Sequence, residues 1–213
     1  MAKVLNGILG GFVGTVGTVS GYMRMGENIM RSKRSPSNLP MTKKRLAQQQ
    51  KIKVCNEFTT AFSGSGFFNA TFPLLKGTAT GYNKATSALL KKAITGTYPD
   101  TRLEWPQVLI SEGGMPSPTG AAASIDTDGN ILFTWNNNTG TGTAKKTDKA
   151  VLVAYAPLIK QAAYIISTSS RATGQAVLHA QWLQGYRVET WMGFISEDGK
   201  DAADSVYTGT LDL

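Results

Sequence analysis

Apolar and polar residues alternate near the end of the chain in the way that is typical of β-strands. The alternation runs over residues 186–194, and β-branched and aromatic residues return over 205–211 after a polar turn at 196–200. A period of two residues places alternate side chains on opposite faces of a strand. One face would carry Tyr186, Val188, Met192 and Phe194, and the other Arg187, Glu189 and Trp191. These two segments predict a β-hairpin that closes an antiparallel sheet.

Six earlier segments share this strand character and are separated by turn signals at fairly regular intervals. They are residues 103–111, 121–125, 130–135, 150–155, 163–168 and 175–182. With the closing pair they make about eight strands, which favours an all-β sandwich of immunoglobulin or fibronectin type III character. The residues Trp105, Trp135, Trp182 and Trp191 are expected to supply much of its core.

The region before the sandwich has the 3.6-residue periodicity of helices. Thr42 is a plausible N-cap for a helix over residues 43–62, and a second, weaker helix is predicted over 83–94. An apolar loop lies between them and contains Phe67, Phe68, Phe72, Leu74 and Leu75 around Pro73. The two helices are expected to cap one end or one face of the sheet.

The first forty residues are rich in glycine and poor in side-chain mass. From Gly14 they predict a small basic β-hairpin, with a tight turn near residues 26–28, followed by a linker with two prolines. A lone hairpin is marginal in water, so it should pack on the rest of the chain or on another subunit. The candidate contact residues of this arm are Phe12, Val16, Val19, Tyr22 and Ile29. The predicted organisation is thus an arm and linker at 1–40, a helical region at 41–98 and a β-sandwich at 99–213.

Residues 4–23 are uncharged over a length that fits a transmembrane helix. Six glycines among these twenty residues make such a helix poor. The sequence therefore favours a glycine-rich arm over a membrane span or a signal peptide. The chain is expected to be made in the cytoplasm and to act in a phage particle or an extracellular assembly.

The charge of the chain is unevenly distributed. The formal net charge is +8, and residues 1–60 hold ten Lys and Arg against two acidic residues, whereas residues 101–213 hold eight against eleven. Such asymmetry indicates an anionic partner or a self-complementary neighbour. Candidate contacts to an anionic partner are Arg24, Arg31, Lys33, Arg34, Lys43, Lys44 and Arg45. Binding of nucleic acid through them would be indifferent to base sequence, because no recognition motif accompanies them.

No residue pattern predicts an enzyme, a cofactor site or a metal centre. His179 and Cys55 are the single histidine and cysteine, so the usual zinc and copper ligand sets cannot form within one chain. The segment 126–130 alternates carboxylates like a calcium loop but lacks the distal glutamate, and a hairpin turn explains it more simply.

Several short pieces of the sequence resemble an uncharacterised family of similar-sized proteins from Bacteroidota and their phages. Those pieces are Asn6-Gly7, Gly10-Gly11-Phe12, Val16-Gly17, Arg31-Ser32-Lys33, Gln48-Gln49-Gln50, Ile110-Ser111-Glu112-Gly113, Phe133-Thr134-Trp135, Asp148-Lys149-Ala150, Arg171-Ala172 and residues 194–200. The resemblance covers nearly the whole chain but implies no catalytic residues. The opening is also similar to that of some phage-encoded virion-associated proteins.

The function favoured by these observations is that of a non-enzymatic structural protein. Its arm would engage neighbours by strand addition or wrapping in a phage particle, tube or filament. Sequence-independent binding of nucleic acid by the basic segment is the first alternative. A third hypothesis is a sandwich that binds a ligand or glycan through exposed Trp or Tyr residues on its loops.

Overall fold

The computed structural model describes residues 3–4, 10–24, 26–35, 40–63, 66–73 and 80–213. The chain divides into two compact units, Met1–Thr42 and Lys43–Leu213. In the described ranges the fold is mainly antiparallel β with three α-helices. No helix within those ranges is long and apolar enough to cross a membrane.

The first unit contains a four-stranded antiparallel sheet, called here the N-terminal sheet, in which the strands follow one another in chain order. Its strands are β1 (Lys3–Val4), β2 (Phe12–Val16), β3 (Val19–Arg24) and β4 (Glu27–Ser32). The expected hairpin is present as β3 and β4, but two further strands extend it to a sheet of four. Gly17 has a φ of 55° and reverses the chain between β2 and β3, inside a segment that the sequence pattern treats as one strand. The predicted turn near Gly26 does join β3 to β4, although Glu27 and Asn28 already belong to β4.

The second unit, called the body, begins with the helices. They are α1 (Lys43–Thr60), α2 (Phe67–Thr71) and α3 (Gly81–Ala88), and a π-helical turn (Leu89–Ala93) extends α3. The helix expected over 43–62 thus ends two residues early, and α3 begins before the expected position 83. The predicted apolar loop is partly the helix α2, whereas Leu74 and Leu75 lie outside the described residues.

The strands of the body form three antiparallel sheets. The four-stranded sheet has the order β10-β9-β12-β13, the three-stranded sheet has the order β11-β8-β7, and β5 pairs with β6. Their bounds are β5 (Ile94–Thr95), β6 (Arg102–Leu103), β7 (Thr119–Ile125), β8 (Ile131–Asn136), β9 (Lys149–Ala156), β10 (Gln161–Ser170), β11 (Gln175–Leu178), β12 (Arg187–Ile195) and β13 (Val206–Asp212).

The predicted closing hairpin is confirmed, since β12 and β13 pair antiparallel. The centre of the four-stranded sheet is buried on both faces. On one face, Phe58 of α1 packs against Trp191 in a core that is rich in aromatic residues. On the other face, Phe133 of the three-stranded sheet lies in the same core as Phe194. The alternation in β12 therefore separates two cores rather than a core from solvent.

Two predicted strands are shorter than expected. Residues 103–111 form mainly a 3-10 turn at Trp105–Gln107 and irregular chain, because Pro106 cannot donate a hydrogen bond to a sheet. Strand β11 stops at Leu178, and another 3-10 turn, Gln181–Leu183, carries Trp182 out to the surface. Trp182 is 52 % exposed, so its expected place in the core is wrong.

Candidate functional site

The two faces of the N-terminal sheet differ in chemistry because of its strand register. Gly14 lies opposite Gly21, and Gly21 lies opposite Met30, so these three residues share one face. Tyr22 lies opposite Ile29, which places both on the other face. The first face is called the apolar face and the second the basic face.

The apolar face carries exposed hydrophobic side chains. Its described side chains are Phe12, Val16, Val19, Met23, Asn28, Met30 and Ser32. Val16 is 58 % exposed and Met30 is 65 % exposed. Gly21 is the one described residue of this unit that is buried, since the Phe12 ring and carbonyl oxygen occupy the space that a Cβ would need. Side chains of this type are normally covered when a sheet belongs to a stable structure.

The basic face combines cations with an aromatic ring. Its described side chains are Lys3, Val13, Thr15, Ser20, Tyr22, Arg24, Glu27, Ile29 and Arg31. The Arg31 guanidinium lies over the Tyr22 ring, 5.4 Å from its centroid. Thr15 and Ser20 join their hydroxyl groups in a hydrogen bond of 3.2 Å. This surface suits contact with water or with an anionic partner.

The structure separates the five predicted arm residues into two groups. Phe12, Val16 and Val19 lie on the apolar face, whereas Tyr22 and Ile29 lie on the basic face. Sequence reasoning missed Met23 and Met30, which complete the apolar face. The alternation of these methionines with polar neighbours indicates that they lie in strands. Only the pairing of β3 with β4 shows which face of the sheet they occupy.

The seven predicted anionic-partner contacts are also separated. Arg24 and Arg31 lie on the basic face, and the exposed residues Lys33 and Arg34 follow β4. Lys43, Lys44 and Arg45 form the first turn of α1 and belong to the body. Cations in the first turn of a helix oppose its dipole, so this turn is suited to an acidic neighbour.

In the body, the segment that resembles a calcium loop and the single histidine have structural partners. The Asp126 carboxylate accepts hydrogen bonds from the backbone N–H groups of Asp128 and Asn130, at 2.8 and 3.0 Å. The bond from Asn130 is the main reason why the pKa of Asp126 is lowered. His179 Nδ1 lies 3.2 Å from the Asn130 side-chain oxygen. Asp126 therefore stabilises the turn between β7 and β8, and the described residues contain no cluster of three or more metal-ligating side chains.

A buried ion pair lies within the body. Arg171 Nε donates to Asp148 at 3.0 Å, and the two side chains are 0 % and 1 % exposed. The guanidinium also donates to Asn138 at 2.6 Å and lies 3.9 Å from the centroid of the Phe194 ring. Burial lowers the pKa of Arg171, and the Asp148 charge opposes that shift. With its polar atoms satisfied in this way, the pair is part of the scaffold.

Comparison with known protein families matches residues 11–209 to a family of unknown function, DUF6266. A search of curated proteins gives no match. The matched range includes strands β2 to β4 of the N-terminal sheet and all the helices of the body.

Proposed function

The chain belongs to the family of unknown function DUF6266, and we propose that it is a non-enzymatic structural protein whose copies associate through the apolar face of the N-terminal sheet. The observation that carries this proposal is the exposure of that face. The body, by contrast, has two buried cores of its own. It is the N-terminal sheet that needs a partner.

The exposed side chains set the strength of the association. Four apolar side chains of this face are exposed by 37 % (Val19), 44 % (Met23), 58 % (Val16) and 65 % (Met30). Their combined exposed surface equals that of about two fully exposed side chains. Covering them is worth roughly 3–6 kcal/mol per copy, or roughly 6–12 kcal/mol per pair. Association costs at least about 4 kcal/mol in lost freedom of motion. A single pair of faces is therefore expected to associate weakly and in a concentration-dependent way.

The distribution of charge favours a second copy as the partner. The described side chains of the apolar face carry no formal charge, whereas Lys3, Arg24 and Arg31 extend from the opposite face. Two copies can therefore bring their apolar faces together without bringing like charges into contact. The product is a symmetric pair in which the same surface contributes from both sides.

The unpaired edge of β4 offers a route from pairs to larger assemblies. In the described part of the chain β4 pairs with β3 alone, so its outer N–H and C=O groups are available for strand addition. We propose that the resulting assembly is a phage particle, tube or filament, or that the protein decorates one.

The body would then be an immunoglobulin-like sandwich. Counted from β7, the first, second and fifth strands (β7, β8, β11) share one sheet. The third, sixth and seventh (β9, β12, β13) share the other. The same partition of these six strands occurs in immunoglobulin domains of the constant type, where the fourth strand joins the sheet of the first. Here the fourth strand, β10, pairs with the third.

The test is a matched pair of charged variants analysed by sedimentation velocity over a range of concentrations. Val16→Glu places a carboxylate on the apolar face, whereas Thr15→Glu places one on the basic face of the same strand. We expect the wild type and Thr15→Glu to associate as concentration rises, and Val16→Glu to remain monomeric. A monomeric wild type, or equal association of both variants, would contradict the proposal.

One observation favours a second function, the binding of single-stranded nucleic acid by the basic face. Tyr22 is flanked there by Arg24 and Arg31, and single strands bind where aromatic rings accompany cations. Titration of a labelled oligonucleotide at two salt concentrations separates the two functions. Assembly alone predicts little binding at physiological salt, whereas this function predicts a steep salt dependence that the double variant Arg24→Ala, Arg31→Ala reduces.

A further inference from the structure

An open groove of about 880 Å³ runs along the outer side of α1. Every third or fourth residue of the helix lines it, opposite the start of β10 and the exposed Trp182. The lining residues are Gln49, Ile52, Lys53, Asn56, Glu57, Thr60, Ala61, Lys160, Gln161, Ala162 and Trp182. This volume lies within the ordinary range of ligand-binding sites.

Trp182 is held rigidly at the edge of the groove. Its neighbours Ala180 and Leu183 are completely buried, and the Leu183 N–H donates to the Ala180 carbonyl at 2.8 Å. The Gln181 side chain donates to the Asp128 carbonyl at 3.0 Å. The backbone that carries the indole is therefore held on both sides although half of the Trp182 residue is exposed, so little backbone freedom is lost when a ligand stacks on the ring.

The polar groups of the groove are mostly neutral and unpaired. The side chains of Gln49, Asn56 and Gln161 make no hydrogen bond within the described part of the chain. Each amide can both donate and accept. The charged residues largely cancel, because Lys160 and Glu57 form an ion pair of 3.0 Å and leave Lys53 as the remaining lining cation.

These properties argue against two occupants. A partner helix would need an apolar stripe on α1, but Ile52 is the one apolar residue that α1 contributes to the lining, and Ala61 follows the end of the helix. The apolar face of another copy would bury the groove amides without partners, which is unfavourable because each amide would lose its hydrogen bonds to water. The ligand must instead supply hydroxyl-type groups that donate and accept, together with an apolar surface for the indole.

We propose that the groove binds a neutral oligosaccharide. A sugar ring presents C–H groups on one face, which can stack on Trp182, and hydroxyl groups around its edge, which can pair with Gln49, Asn56 and Gln161. The site lies within the body and does not depend on assembly through the N-terminal sheet.

The experiment screens the full chain against an array of neutral and anionic glycans and measures the best neutral oligosaccharide by calorimetry. We expect saturable binding that Trp182→Ala weakens by about tenfold or more. Asn56→Ala should weaken it to a lesser extent. Tyr98→Ala is the matched control, because Tyr98 is an aromatic residue that is 44 % exposed and outside the groove.

Three results would overturn the proposal. They are the absence of binding to every neutral glycan of the array, equal binding by the wild type and Trp182→Ala, and binding restricted to anionic glycans with a strong salt dependence. Thermal melting of each variant checks that it is folded. Since Trp182 is exposed, its replacement should leave the melting temperature nearly unchanged.

Discussion

The buried pair of Arg171 and Asp148 gives a sharp prediction about the stability of the body. Asp148→Asn keeps the shape of the side chain but removes its charge, which leaves a fully buried guanidinium without its counter-ion. Removing one partner of such a pair costs about 3–5 kcal/mol. Arg171 keeps its hydrogen bonds to the Asn138 side chain and the Pro116 carbonyl and its contact with the Phe194 ring, which place the expected loss near the lower end of that range.

The loss is measured by chemical denaturation followed through tryptophan fluorescence, since Trp135 donates to the Arg171 carbonyl at 2.8 Å and reports on this region. In a chain of this size a loss of about 3 kcal/mol lowers the melting temperature by roughly 6–12 °C. Replacing both partners, as Asp148→Asn with Arg171→Met, should cost less than the sum of the single changes, because no buried charge is then left unpaired.

The control is Asp198→Asn. Asp198 pairs with Lys200 at 3.6 Å, and their side chains are 58 % and 84 % exposed. Exposed pairs contribute little because water screens them, so this variant should lose much less stability than Asp148→Asn. The reasoning is refuted if Asp148→Asn is no less stable than Asp198→Asn.

Two further predictions concern titratable groups of the body. Burial raises the pKa of the Cys55 thiol to about 11. Because the thiolate is the reactive form, a thiol reagent at pH 8 should react with Cys55 only after unfolding. Immediate reaction of the folded chain would contradict this. The pKa of Asp126 is lowered in the folded chain, chiefly by the N–H of Asn130. The ionised carboxylate therefore stabilises the folded state above the ordinary carboxyl pKa of about 3.9. This contribution is lost as the pH falls through the lower pKa of the folded state. The difference in unfolding free energy between the wild type and Asp126→Asn should therefore shrink in acid, and a difference that is independent of pH between 6 and 2 would exclude this role.

The sequence predicts most of the β-structure of the body because its strands are regular and its turns are marked by residues with special backbone freedom. The failures have local causes. Around Pro106 and Trp182 the apolar–polar pattern continues, but the chain turns into 3-10 structure, and hydropathy alone does not distinguish the two. In the N-terminal sheet Gly17 reverses the chain where a longer strand would fit the pattern equally well.

The candidate site was predictable only in part, because its surfaces depend on contacts between distant residues. The prediction of an apolar arm identified Val16 and Val19, but the place of Met30 depends on its pairing with Gly21. Similarly, Asp148 and Arg171 are 23 positions apart and meet only when β9 and β10 pair. The groove beside α1 could not be foreseen, since it needs the position of Trp182 relative to the helix.

The most direct test of association through the apolar face is chemical crosslinking of the variants Met30→Cys and Thr15→Cys. The native thiol of Cys55 is completely buried, so the introduced cysteine is the reactive one. Facing sheets pack about 10 Å apart, which a short bismaleimide can span. The account predicts crosslinked dimers for Met30→Cys on the apolar face and none for Thr15→Cys on the basic face. Equal crosslinking of the two variants, or none for Met30→Cys at concentrations where the protein associates, would contradict it.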